Sequence, residues 1–235
     1  MDDTGFNWGW LDADNNFSKT HKMLIRNEIF VRNMYETVLQ VEEDDVVVDI
    51  GASVGPFAYS ILSKKPSRVF CFEPSDQAFP ILEKNVNGKN IRCFHAGISN
   101  TDGSSLLNSV FTEHFYQDTP CNTMKFKTFI EQEKIDHIDF MKTDCEGGEY
   151  DIFNIENFSW IQANIKKVVG EWHLSTPELK FKFQRFINLY LRTFNDYKVF
   201  SVDGVEVTDK VFTDWFTAYF SEVIIHINNK IPNNW

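Results

Sequence analysis

Gly51-Ala52-Ser53-Val54-Gly55 follows a β-branched run, Val46–Ile50, and precedes a helical pattern, Pro56–Ser63. Two chemistries fit that pentapeptide. Gly-x-Ser-x-Gly on a strand–turn–helix is the setting of a hydrolase nucleophile, with Ser53 as the attacking group. The same turn after a first parallel strand also lets the backbone approach a nucleotide, with free N–H groups of the next helix facing it. Hydrolase elbows are preceded by several strands and a glycine-rich oxyanion loop. Here one amphipathic helix and an irregular arm precede Ser53. Triad partners exist in the right order, Asp144 then His173 or His226, but such residues occur in almost any chain.

The nucleotide reading accounts for more residues. An acidic side chain about 20 positions on, at the end of the second strand, takes both ribose hydroxyls in such sites. Glu73 in "VFCFEP" stands there, followed by Pro74. Dinucleotide loops carry a middle glycine to admit the pyrophosphate; Ser53 stands in its place. S-adenosylmethionine has no pyrophosphate and does not need that glycine. Asp49, two residues before Gly51, either meets such a ligand's cationic amino group or caps the turn.

"DIGASVGPF", "VFCFEPSDQAFPILEKN" and "IDFMKTDCEGGEYDIF" resemble the three hallmark blocks of the FkbM-type S-adenosylmethionine-dependent methyltransferases. The family's first block usually reads Asp-Ile/Val-Gly-Ala-Asn-x-Gly, and Ser53 replaces the Asn. Phe72-Glu73-Pro74 matches its second block. Its third, Lys-Ile/Val-Asp-x-Glu-Gly-x-Glu, is matched by Lys142–Glu149. The similarity covers about Asp45 to His173. It implies an α/β, Rossmann-like class I methyltransferase fold: a mostly parallel seven-stranded sheet, last strand antiparallel, helices on both faces. It also implies O-methylation of a hydroxyl on a sugar, glycan or other small molecule. The serine hydrolase stays as the alternative, with a non-catalytic nucleotide-binding module as a third reading.

On this reading the cofactor is held by Asp49, Gly51, Ala52, Ser53, Gly55, Glu73, Pro74 and Asp144. His95, with Ala96 after it, ends the third strand, where it approaches the adenine or sits as a satisfied edge histidine. Asp144 and Glu146 end the fourth strand, and Glu171 and His173 the fifth. Ligands in open α/β sheets bind beyond those ends. Methyl transfer to oxygen needs an aligned hydroxyl and a base. His173 has the best unperturbed pKa for the base; Asp144 orients the acceptor or acts as base itself. Asp144, Glu146, Glu171 and His173 could hold a divalent ion, but the spacing is not diagnostic and no metal is assigned. Glu149 reads as a helix N-terminal carboxylate, and Lys142 as the ion-pair partner of Asp144. His21, His114, His137 and His226 receive no role.

These residues need a frame. Short apolar runs at Val46–Ile50, Arg68–Phe72, Ile91–His95, Ile138–Thr143 and Ile165–Gly170 alternate with helical patterns at Pro56–Ser63, Asp76–Asn87 and Lys127–Lys134. That rhythm means a parallel sheet covered on both faces. Ser99–Thr123 reads as a hairpin or excursion. Pro177–Phe194 predicts a helix with Thr176 as N-cap. Tyr197–Val202 and Glu222–Ile227 close the sheet. A helix is expected over Lys22–Gln40, preceded by an irregular arm, 1–21, whose aromatics dock on the body or fold over the site as a lid. Residues 22–235 read as a single domain.

With 235 residues, 43% of them hydrophobic, the chain is long enough to fold around a sizeable core. Its formal net charge of -11 disfavours a phosphate backbone as partner. Lys64-Lys65, Lys125, Lys127 and Lys166-Lys167 read as solvated edges. Four cysteines without a C-x-x-C pair indicate neither zinc nor a disulfide framework; Cys71 and Cys93 read as buried thiols. The start lacks an apolar h-region and no apolar run approaches the ~18 residues of a membrane span, so no signal peptide and a cytoplasmic protein are expected. The Phe-rich Val211–Phe220 reads as a pocket wall or a dimer face.

Overall fold

The computed structural model describes residues 5–87, 90–107 and 119–230. Five strands are parallel neighbours: β1 (Val46–Ile50), β2 (Arg68–Phe72), β3 (Ile91–Phe94), β7 (Ile138–Thr143) and β8 (Ile165–His173). The chain returns through β9 (Tyr197–Ser201) and β10 (Glu222–Asn228), and β10 runs antiparallel to both β8 and β9. The order is β3-β2-β1-β7-β8-β10-β9, the seven-stranded sheet expected from the resemblance. β1 is buried at every position, as a strand covered on both faces must be.

Helices flank the sheet: α1 (Asn16–Arg26), α2 (Pro56–Ser60), α3 (Phe79–Val86), α4 (Phe126–Glu133), α5 (Glu149–Ile152), α6 (Phe158–Asn164), α7 (Pro177–Leu189) and α8 (Phe216–Tyr219). The Thr176 hydroxyl caps α7 by accepting the Leu179 N–H. Two apolar layers result. One holds Phe72, Phe129, Met141, Trp172 and Phe186; the other holds Phe57, Phe140, Val169 and Ile224 under Phe6, Trp8, Phe30 and Tyr35 from the N-terminal segment.

Period-2 alternation sorts the polar residues. Asp49 follows Val47, Lys142 follows Phe140, Glu171 follows Val169 and Glu222 precedes Ile224. All four therefore sit on the face that the N-terminal segment covers.

The N-terminal helix differs from expectation. It begins at Asn16, inside the expected arm, because the Asn15 side chain accepts the Ser18 N–H. It loosens into a π-helical stretch, Asn27–Val31, is broken by Asn33 at φ 50°, and resumes as a 3₁₀ turn at Met34–Glu36. The expected apolar stripe is not kept through the change of winding: Met34 and Tyr35 are buried together with Ile29 and Phe30, but Leu24, Val31 and Val38 are exposed. The expected hairpin is a small sheet of order β4-β6-β5, with β4 (Gly97–Ser99) parallel to β6 (Thr119–Lys125) and β5 (Gly103–Leu107) antiparallel to it. Residues 108–118 of that excursion, His114 included, lie outside the described residues. Cys71 is buried and Cys93 half-buried. Among the described residues, no helix is long and apolar enough to cross a membrane.

Candidate active site

A cavity of about 1010 Å³ opens where β1, β2, β7 and β8 end and β10 begins. Its volume is at the upper end of small-molecule sites. Gly51, Ala52, Ser53, Glu73, Pro74, Asp144, Glu146, Glu171 and His173 all line it. Of the sequence-predicted site residues, Asp49, Gly55, His95 and Ala96 are not among its lining.

On one side the backbone makes the shape. The Gly51 and Ala52 N–H groups both donate to the Phe72 carbonyl, at 3.0 and 2.9 Å, so the turn is tied to the end of β2. Gly51 has φ +79°, and a Cβ there would lie 1.7 Å from the Asp144 carbonyl oxygen. Only glycine lets the two strand ends approach this closely. Ser53 has φ 51° and donates its N–H to Glu73 Oε2 at 2.8 Å. The Ser75 N–H donates to Glu73 Oε1 at 2.7 Å. Burial raises the Glu73 pKa to about 7, against those two amides, which lower it. Gly55 is a packing residue instead: a Cβ there would meet Leu82 of α3 at 2.8 Å.

Asp49 is 0% exposed and lies behind the turn. Lys142 Nζ sits 3.2 Å from its Oδ1, 3.9 Å from Asp144 Oδ2, and donates to the Gly51 carbonyl at 2.8 Å. The Asp49 oxygens make no well-directed hydrogen bond among the described residues, so the contact is an ion pair. Burial opposes the Lys142 charge, but Asp49 and Asp144 outweigh it and raise its pKa. Lys142 thus pairs more closely with Asp49 than with Asp144, and the Asp49 carboxylate is directed at this ammonium, not at the cavity. His95 stacks on Phe79 at 4.4 Å and pairs with Asp76 at 3.2 Å. It is the satisfied edge histidine of the two readings.

The other side is built from side chains. The Tyr35 hydroxyl donates to Asp144 Oδ2 at 2.9 Å. His173 Nδ1 lies 3.2 Å from Glu149 Oε1, and Nε2 lies 3.6 Å from Glu146 Oε2 and 3.9 Å from Glu171 Oε1. Glu149 opens α5 but is no solvent-facing helix-end acid: its carboxylate is wholly buried and accepts the Cys145 N–H at 2.9 Å. The Tyr150 hydroxyl donates to the His173 carbonyl at 2.7 Å.

Charge on this side is unbalanced. Burial pushes Glu146 up to about 7, and burial with nearby Asp144 does the same to Glu28. Glu171 is raised well above the carboxylate range, chiefly by burial and then by Asp144. Burial works against a charged His173, but Glu149 and Glu146 raise its pKa well above 6.5. Glu28, Tyr35 and Glu222 also line the cavity, and sequence reasoning missed all three. Glu222 was findable, because it opens the closing antiparallel strand and so faces the end of β8. Tyr35 and Glu28 carried no signal beyond membership of an apolar-periodic segment. His226 is elsewhere: it pairs with Val169 inside the sheet, and burial lowers its pKa to about 4. Val211–Phe220 is not a cavity wall; its Phe216 stacks on Phe183 at 5.8 Å.

The methyltransferase FkbM domain matches residues 49–199. No curated protein sequence matches the chain. Among solved structures it is similar to precorrin 8w decarboxylase of Methanobacterium thermoautotrophicum, with 16% identity over 85% of this chain and 90% of that one, at a TM-score of 0.48. Aeropyrum pernix fibrillarin with natively bound S-adenosyl-L-methionine shares 13% identity over 87% of this chain and 75% of its own, at a TM-score of 0.48. Precorrin-6y C5,15-methyltransferase of Geobacter metallireducens shares 14% over 84% and 87%, at a TM-score of 0.45.

Proposed function

The chain belongs to the FkbM methyltransferase family, and on that premise we propose that it O-methylates a hydroxyl of a sugar, glycan or other small molecule. Its methyl donor is S-adenosylmethionine, which supplies an electrophilic methyl group on a sulfonium. The Gly51 bend, Ala52, Ser53 and Glu73 would hold the adenosyl part. The fit rests on Glu73: amides of Ser53 and Ser75 fix both its oxygens at the cavity wall. Each carboxylate oxygen has two lone pairs, which leaves acceptor capacity for a vicinal diol. Pro74 and Ile98, beyond Glu73 on the lining, supply apolar surface for the base.

One observation carries the hydroxyl reading. Asp144 faces the same cavity with its carboxylate braced by the Tyr35 hydroxyl at 2.9 Å and Lys142 at 3.9 Å. A braced carboxylate can accept the acceptor's O–H, align it, and take its proton as the methyl arrives. His173 is the poorer base, because its acidic neighbours raise its pKa well above 6.5 when no ion is bound. Its part is to hold Glu146 and Glu171 in place.

The serine-hydrolase reading of Ser53 gives way to the family. Ser53 serves through its amide, which positions Glu73; Ser53→Ala should keep methyl transfer. The test is isotope-labelled donor with a panel of free sugars and glycosides. A methyl ether on carbon-bound oxygen survives mild alkali. Label recovered only as a base-labile ester or on nitrogen would overturn the reading, and binding without turnover on any acceptor would favour the non-catalytic module.

A further inference from the structure

We propose that Glu171, His173 and Glu222 form a site for one divalent cation of the Mn²⁺/Mg²⁺ class in the acceptor half of the cavity. Its donor atoms, one from each side chain, all lie within 4.8 Å of one another. Donors sharing one ion at roughly 2.0–2.3 Å sit about 3–4.5 Å apart, so the three need shift little to close on it.

The backbone sets this arrangement. In the antiparallel pair β8/β10, Glu222 is directly opposite His173, and Glu171 is two residues back on the same strand. Cross-strand and i, i+2 neighbours share a face. The histidine is oriented as metal-binding histidines usually are, with one ring nitrogen toward a buried carboxylate and the other toward the ion. Glu149 Oε1 lies 3.2 Å from Nδ1 and is itself held by the Cys145 N–H. Tyr150 fixes the His173 backbone. Nε2 therefore turns to the side where Glu146 Oε2 lies 3.6 Å and Glu171 Oε1 3.9 Å away, and the ion takes the place of the proton that this histidine carries in the metal-free site.

Glu222 is diagonal to Glu171 on that face, and two carboxylates held this close repel unless a cation joins them. Among the described residues, the lysines and arginine that line the cavity are engaged elsewhere: Lys142 on Asp49 and the Gly51 carbonyl, Arg32 on the Val202 carbonyl at 2.7 Å, and Lys182 on Glu178 at 2.8 Å. Two carboxylates and one imidazole, with no thiolate, suit Mn²⁺ or Mg²⁺. The role of the ion rests on the methyl-transfer reading above. An acceptor hydroxyl bound to it would lose its proton more readily, and Asp144 lines the same cavity to receive it.

The test is Mn²⁺ titration of the full chain, followed by the paramagnetic signal of free Mn²⁺. S-adenosylhomocysteine affinity and melting temperature are measured on the same samples. The expected result is one saturable Mn²⁺ per chain, weakened at least tenfold in both Glu222→Gln and Glu171→Gln, with S-adenosylhomocysteine affinity within threefold of wild type. No saturable Mn²⁺ binding at millimolar concentration would overturn the site. So would wild-type Mn²⁺ affinity in either folded variant, since the bound ions would then sit on the acidic surface. Mn²⁺ bound as expected by a chain that ignores S-adenosylhomocysteine would uphold the site and sink the methyl-transfer reading instead.

Discussion

The two halves of the cavity are built differently. At the ends of β1 and β2, shape comes from the backbone: a glycine at φ +79°, two amides on one carbonyl, and two amides on Glu73. At the ends of β7 and β8 and the start of β10, it comes from side chains drawn from distant parts of the chain: Tyr35, Asp144, Glu171, His173 and Glu222. The first half has a local partner for each charge. The second concentrates acids around one histidine. On the proposed reading, the half made of backbone takes the one constant ligand, the donor. A half made of side chains can be altered residue by residue, which suits an acceptor site.

The sharpest way to break the first half is Gly51→Ala. The added Cβ would land 1.7 Å from the Asp144 carbonyl, at a φ that alanine resists. We expect a loss of at least ~3 kcal/mol in stability, or no detectable S-adenosylhomocysteine binding. Calorimetry and thermal unfolding check this. A variant that folds and binds like wild type would show that the strand ends are not locked together there.

The same contrast explains what the sequence could show. Gly51, Ser53 and Glu73 stand at fixed distances from strand ends, so a short motif captures them. Tyr35 and Glu222 reach the site only through tertiary packing and strand order, and both lie outside the matched residues 49–199. The alternating runs disclosed the sheet, because a strand covered on both faces must be continuously apolar. The start of α1 was missed because one side-chain cap at Asn15 outweighed the apolar pattern. Asp49 is a subtler case. Its position beside the loop suggests a ligand contact, but its side chain meets Lys142, which is directly across the β1–β7 ladder.

Asp144→Asn breaks the second half and leaves the first. Loss of a general base lowers kcat by roughly 10²–10⁴-fold, and donor KM should change far less. An equal loss in both would make Asp144 a donor-binding residue. Tyr35→Phe sharpens the comparison more gently. Removing one hydrogen bond to a carboxylate is worth about 1–2 kcal/mol, so kcat should fall roughly 5–30-fold while the melting temperature drops by only a few degrees. An unchanged kcat would mean Asp144 needs no brace.

The smallest effect is in stability against pH. Glu73 in one half and Glu28 in the other have folded pKa values raised from 4.5 to about 7; Glu146 shifts the same way, but its side chain is 40% exposed and water offsets most of its share. The folded state then binds more protons than the unfolded one between those values. Their contribution is complete below pH 4.5 and is lost as pH rises through 7. His226 acts oppositely: its folded pKa of about 4 lies below 6.5, so it favours folding above that range and loses its effect as pH falls. Glu73 and Glu28, joined by Glu171 and His173, whose folded pKa values are also raised, outweigh His226. In the presence of a chelator, the melting temperature should drop by roughly 4 °C from pH 5.5 to pH 8. A rise over that interval would mean that these acids are ionised without penalty.

The central claim is that the bend after β1 and the carboxylate after β2 clasp the adenosyl donor. The direct measurement is a crystal structure with S-adenosylhomocysteine bound. We expect both ribose hydroxyls within hydrogen-bonding distance of Glu73 and the thioether facing Asp144. A ribose bound away from Glu73 would contradict the account.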